Sequence, residues 1–142
     1  MGHGDHSARA SDTGRCGGCG VRGAGELVAG VQELQRLKAK AAALEAELLA
    51  ELDARQTAKQ DLGWGSTVDW FTHLAGTTRR QGRQAVTHAR ILLTERVGTF
   101  QALREGAVSP ERASVVLDAL ERLPLAEHVR RRGEAVLLEE AG

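Results

Sequence analysis

"WFTHLAGTTRRQGRQAVTHAR", residues 70–90, reads as a short apolar helix, a glycine break and a second helix studded with arginine. That is the outline of a helix-turn-helix pair. Thr78 followed by Gln81 has the spacing of a capping box, so the second helix of the pair should start at Arg79 and run to about Leu93. It should bury Ala85, Val86, Ala89, Leu92 and Leu93. Gly82 sits inside it, where glycine costs about 1 kcal/mol relative to alanine. Either another backbone comes close there, or the position is a poor helix residue.

Working outward toward the N-terminus, Gly63 and Gly65 break the chain in "DLGWGST". Ser66 then offers an N-cap with Asp69 three residues on, and Trp70, Phe71 and Leu74 mark a helix that ends near Gly76. Upstream, Leu27, Val31, Leu34, Leu37, Ala41, Leu44, Leu48 and Leu52 recur at steps of three and four. They predict one long helix from Glu26 to about Ala58 with a single apolar stripe. A stripe of that length needs a cover, either later helices of the same chain or another chain. The first alternative predicts that Trp70, Phe71, Leu74, Val86 and Ala89 pack against Leu44 and Leu48.

Toward the C-terminus, Val97, Phe100 and Leu103 mark a short helix stopped by Gly106. "VSPE" restarts the chain, with Ser109 as N-cap and Pro110 in the first helical position. Ala113, Val116, Leu117 and Leu120 form the inner face of this helix. A last helix, about Leu125 to Glu140, should bury Val129, Val136 and Leu137, and it runs off the end of the chain as if truncated. The fold class is therefore all-α: a long N-terminal helix with about five shorter helices packed on it and a helix-turn-helix-like pair in the middle.

The composition agrees. In 142 residues there is no Tyr and only 3% aromatic residues, while the abundance of alanine, leucine, arginine and glutamate favours helices. No apolar run approaches the roughly 20 residues of a membrane span, and no signal-type apolar segment opens the chain, so a cytoplasmic protein with no membrane partner is expected. Residues 1–25 read as a flexible, glycine-rich leader ahead of a helical domain at 26–142. The leader holds Cys16 and Cys19 in "CGGC", which His3 and His6 complete to four zinc donors on paper. Without a flanking strand or helix this is a weak metal candidate, and two free thiols in a loose leader is the plainer reading.

The formal net charge is zero, so any pull toward nucleic acid has to be local. From Leu62 to Thr94 the only acid is Asp69, against Arg79, Arg80, Arg83 and Arg90. Arg79, Arg80 and Arg83, with Thr78 and Gln84, are the predicted DNA-contacting residues, arginine reaching phosphates or guanine edges and the short polar groups phosphates. A solvated helix face is the competing explanation. In the second basic run, "HVRRRGE" at 128–134, Arg130, Arg131 and Arg132 fan around a helix between Glu127 and Glu134 and read as local ion pairing. His73, His88 and His128 lack ligand spacing, and Glu45, Glu47 and Glu51 lack the Glu-x-x-His partner of a carboxylate metal site. No catalytic constellation is visible.

The order Gly63-x-x-Ser66-x-x-x-Trp70, then "RRQGRQAVTHAR", then "LREGAVSPERASVVLDALERLP" resembles the actinobacterial domain of unknown function 222, the 13E12 repeat family. The likeness runs from about Glu26 to the end and is sharpest over Leu103 to Ala113. In that family the helical region usually precedes an HNH endonuclease domain, in which a histidine activates water and a divalent metal stabilises the scissile phosphate. The resemblance implies a non-catalytic helical part that positions a nuclease on DNA. The divalent metal would belong to the HNH domain, no cofactor falls to these residues, and no catalytic residue carries over. The family tends to an apolar residue at Thr77 and to alanine at Gly82, where this chain departs. From a different class comes the alternative of a helical self-association module, a homo-oligomer through the long helix that never touches DNA.

Overall fold

The computed structural model of the chain describes residues 22–123 and 126–141. Among them are seven helices and no strand: α1 (Ala24–Ala54), α2 (Thr57–Gln60), α3 (Thr67–Ala75), α4 (Arg79–Thr94), α5 (Val97–Glu105), α6 (Pro110–Arg122) and α7 (Glu127–Ala141). The leader with His3, His6, Cys16 and Cys19 lies outside the described residues, as does the expected start of the last helix at Leu125. Contacts divide the chain after Glu33, and the core lies in the unit from Leu34 onward.

Local chemistry sets most boundaries. The Ser66 hydroxyl accepts from the Asp69 N–H at 3.1 Å and caps α3. Thr78 and Gln81 form a complete capping box on α4. The Ser109 hydroxyl accepts from the Arg112 N–H, and Pro110 opens α6. Such caps are worth about 1 kcal/mol each because they satisfy N–H groups with no helical partner. At the other ends, Gly76 (φ 61°) and Gly106 (φ 76°) take the left-handed conformation that closes α3 and α5.

The long helix ends earlier than its pattern suggests. It stops at Ala54, Gln56 turns left-handed (φ 58°), and α2 begins at Thr57. Neither glycine nor proline marks this break. What lies beyond it is Ala58, fully buried, whose carbonyl accepts from the Trp64 N–H at 2.9 Å. A straight continuation of α1 would forgo that burial.

A larger correction concerns which face of α1 packs. Ala39, Ala43, Ala46 and Leu49 are buried in the core. The predicted stripe is on the other side: Leu34, Leu37, Leu44 and Leu48 are 49–60% exposed. Alanine lets backbones approach, and interaxial distance depends on the side chains at the contact. The α5–α6 turn comes so near that a Cβ on Gly106 would stand 3.3 Å from that of Arg36. The core joins the alanine face to Phe71, Ala89, Leu92, Phe100, Leu103, Val108, Ala113 and Leu117. Phe71, Val86 and Ala89 are buried as expected, whereas Trp70 sits half-buried at the margin and Leu74 is 64% exposed. The inner face of α6 is as predicted.

The last helix is likewise rotated from expectation. Val129 and Val136 are exposed, and the buried residue of α7 is Glu134. Its Oε1 accepts from the Thr99 N–H at 2.8 Å and the Thr99 hydroxyl at 2.6 Å. Nearby, the fully buried Arg96 side chain donates to Glu127 at 2.5 Å, to Glu121 at 3.4 Å and to the Glu95 carbonyl at 2.9 Å. Polar groups, rather than the predicted valines, fasten α7 to the start of α5.

Candidate nucleic-acid interface

The candidate interface is the pair α3–α4 and the turn Gly76–Thr78 between them. The left-handed Gly76 donates to the His73 and Thr72 carbonyls, and Thr77 also donates to the Thr72 carbonyl at 3.1 Å. These bonds satisfy the end of α3 while the chain reverses into the Thr78 cap. Gly82 is where the two helices meet. A Cβ there would fall 2.0 Å from the Thr72 Oγ1, 3.2 Å from its Cβ and 3.4 Å from its Cα. Of the two readings of Gly82, the geometry selects close backbone approach.

That packing turns a line of polar side chains outward. Arg80, Arg83, Thr87 and Arg90 are all exposed and recur at steps of three and four along α4. The line spans roughly 15 Å at 1.5 Å per residue. The predicted site residues divide within it. Arg79 is tied to Asp69, Nη1 to Oδ1 at 2.6 Å, and Asp69 also receives the Ser66 hydroxyl at 2.8 Å. Thr78 spends its hydroxyl on Gln81 in the capping box. Gln84 reaches toward Asp118 at 3.5 Å, a long and weak contact. Arg80 and Arg83 have no hydrogen bond or ion pair among the described residues, so their charge is available to a ligand. Arg90 leans toward Glu95 at 3.6 Å, an exposed contact of little strength. Its alignment with Arg83 was legible as a seven-residue spacing.

Sequence spacing missed a second polar group because its members lie on different helices. The half-buried His88 of α4 sits between two residues of α6, Nε2 at 3.1 Å from Asp118 and Nδ1 at 3.5 Å from Ser114. All but Asp118 line a cleft of about 240 Å³ together with Gln81 and Gln84. A serine, a histidine and an aspartate in contact invite comparison with a hydrolytic triad. Ser114, however, lies in the body of α6, where neighbouring N–H groups are spent on helical bonds and none is left to stabilise an oxyanion. The arrangement serves as a tie between α4 and α6.

Among the described residues no three His, Cys, Asp or Glu side chains cluster as metal ligands, and no helix is long and apolar enough to cross a membrane. No family model, curated protein or solved structure matches the chain.

Proposed function

We propose that α3–α4 is a DNA-contacting helix pair in a non-catalytic helical domain, and that the domain positions a nuclease on duplex DNA, as the resemblance to the 13E12 repeat family implies. The observation that carries the DNA contact is the exposed line Arg80, Arg83 and Arg90 on α4, with Arg80 and Arg83 lacking any partner among the described residues. Guanidinium groups there meet phosphate oxygens bidentately. Phosphate contacts position a protein on DNA without reading its sequence, and no set of base-reading side chains accompanies them. Arg79 contributes less than its place in the sequence suggests, because Asp69 already neutralises it.

Two or three phosphate contacts release few counterions. Affinity should fall roughly 10- to 40-fold between 50 and 200 mM salt. The nuclease step itself is assigned to none of these residues, and the reading places the protein in the cytoplasm with its DNA. Titration of a labelled duplex at low salt with the chain and its Arg80→Ala/Arg83→Ala variant tests the proposal. Loss of binding in the variant, with an unchanged helical spectrum, supports it; equal binding by both proteins refutes it.

A further inference from the structure

We propose that two copies of this chain associate through the exposed leucine face of α1, as a parallel, in-register pair of helices. The inference stands apart from the DNA reading. It starts from an inversion in the fold: α1 gives its alanines to its own core and leaves its leucines outside.

The exposed residues have the spacing of a coiled-coil seam. Leu34, Leu37, Ala41, Leu44 and Leu48 alternate steps of three and four, which assigns Leu34, Ala41 and Leu48 to heptad position a and Leu37 and Leu44 to d. Leu27 occupies the a position one heptad earlier in the sequence. In the same register the packed residues Ala39, Ala43, Ala46 and Leu49 fall at b, c and f, on the opposite side of the helix. The fold therefore covers the positions a coiled coil leaves free and uncovers the ones it needs. Beside Leu44 and Leu48, the seam widens into an apolar groove of about 530 Å³ closed on its far side by Trp70 and Leu74.

Charge identifies the occupant as a second copy and sets its direction. The positions flanking the seam are Glu33, Lys40 and Glu47 at g, and Lys38 and Glu45 at e. In a parallel pair each g residue faces the e residue five places on in the other copy. Lys40 then meets Glu45, and Glu33 meets Lys38, and twofold symmetry repeats both pairs. An antiparallel pair with the same leucine layers sets Lys40 against Lys40, Lys38 against Lys38 and Glu33 against Glu47. Like charges in apposition disfavour that register, and the antiparallel register one heptad along, which keeps opposite charges together (Lys38 with Glu45, Lys40 with Glu47), sets Leu34 against Glu51 and loses an apolar layer. A seam of leucines meeting their own symmetry mates, with four opposite-charge pairs along its edges, is self-complementary.

Sedimentation of the full chain over a range of concentrations tests the association. A species of twice the 15.2 kDa chain mass, dissociating on dilution, is expected. Leu37→Glu/Leu44→Glu alters only exposed side chains, so it should keep the helical spectrum and sediment as a monomer. Lys40→Glu should weaken the dimer roughly tenfold, and adding Glu45→Lys in the same chain should restore it. Direction is read by disulfide trapping in a Cys16→Ser/Cys19→Ser background: Leu44→Cys should cross-link to itself. A monomer at every concentration, or Leu44→Cys cross-linking only to Leu34→Cys or only to Ala41→Cys, would overturn the proposal.

Discussion

Glu134 closes the start of a helix to which it does not belong. Its Oε1 takes both the backbone N–H and the hydroxyl of Thr99, at 2.8 and 2.6 Å, in the first turn of α5. A carboxylate at a helix N-terminus is favoured by the dipole, and here it also satisfies two buried donors. The glycine at position 98 makes room, since a Cβ there would crowd the Glu134 Oε1 at 3.3 Å. Replacing Glu134 by Ala strands both Thr99 donors and should cost roughly 2–4 kcal/mol, whereas Glu134→Gln keeps an acceptor oxygen and should cost less. Urea unfolding of the two variants separates them. Equal stabilities would mean that the bonds to Thr99 contribute nothing.

Gly82→Ala sets two effects against each other. Helix propensity gains up to about 1 kcal/mol. Overpacking against Thr72 costs about 1–3 kcal/mol, and rotating the Thr72 hydroxyl away leaves its Cβ and Cα within 3.2 and 3.4 Å of the new methyl. Net destabilisation of about 1 kcal/mol is expected. The Thr72 hydroxyl is buried and has no partner among the described residues, so Thr72→Ala alone should be neutral or stabilising. Combined with Gly82→Ala it should recover only part of the loss, because an alanine at position 72 keeps the Cβ and Cα that crowd the new methyl. Thermal melts of the four proteins in the cycle check this, and a stabilised Gly82→Ala protein would contradict it.

Acid should loosen α7 first. A hydrogen bond from the Arg96 guanidinium holds the Glu127 carboxyl below its ordinary value of 4.5, against a smaller cost of burial. Burial works against the charge of Arg96, but the hydrogen bond and the charges of Glu127, Glu121 and Glu134 outweigh it and raise its pKa. A depressed carboxyl contributes stability that is present above its unfolded pKa and lost as pH falls through the folded one. The loss therefore begins below about pH 4.5. Arg96, whose pKa is raised, stays charged throughout that window and does not contribute to the change. Glu127→Gln should flatten the dependence of unfolding free energy on pH below about 4.5. The slope in parent and variant measures it, and identical slopes would remove Glu127 as the source.

What the sequence made legible was local. Ser66, Thr78, Ser109 and Pro110 cap or open their helices as predicted, because a cap is decided within four residues. The direction of the α1 stripe was not, since periodicity reports that a helix has two faces without saying which one its own chain covers. Alanine scores as weakly apolar, yet it won the core because small side chains admit close helices. The same gap hid the packing face of α7, whose anchoring rests on Glu134 and Arg96, charged residues that read as surface in any linear pattern. For the candidate interface, the basic run was visible at once. Asp69 claims Arg79 across the turn, ten residues away, and spacing alone could not show that.

In the proposed reading α4 offers Arg80 and Arg83, which have no partner among the described residues, to phosphate. Anisotropy of a labelled duplex at about 50 mM salt, titrated with the chain and with Arg80→Ala/Arg83→Ala and Arg79→Ala variants, tests it most directly. Salt-sensitive binding by the parent, none by the double variant, and a smaller loss for Arg79→Ala, whose partner is Asp69, are the expected results. A parent that gives no signal at low salt, or a double variant that binds as the parent does, would contradict it.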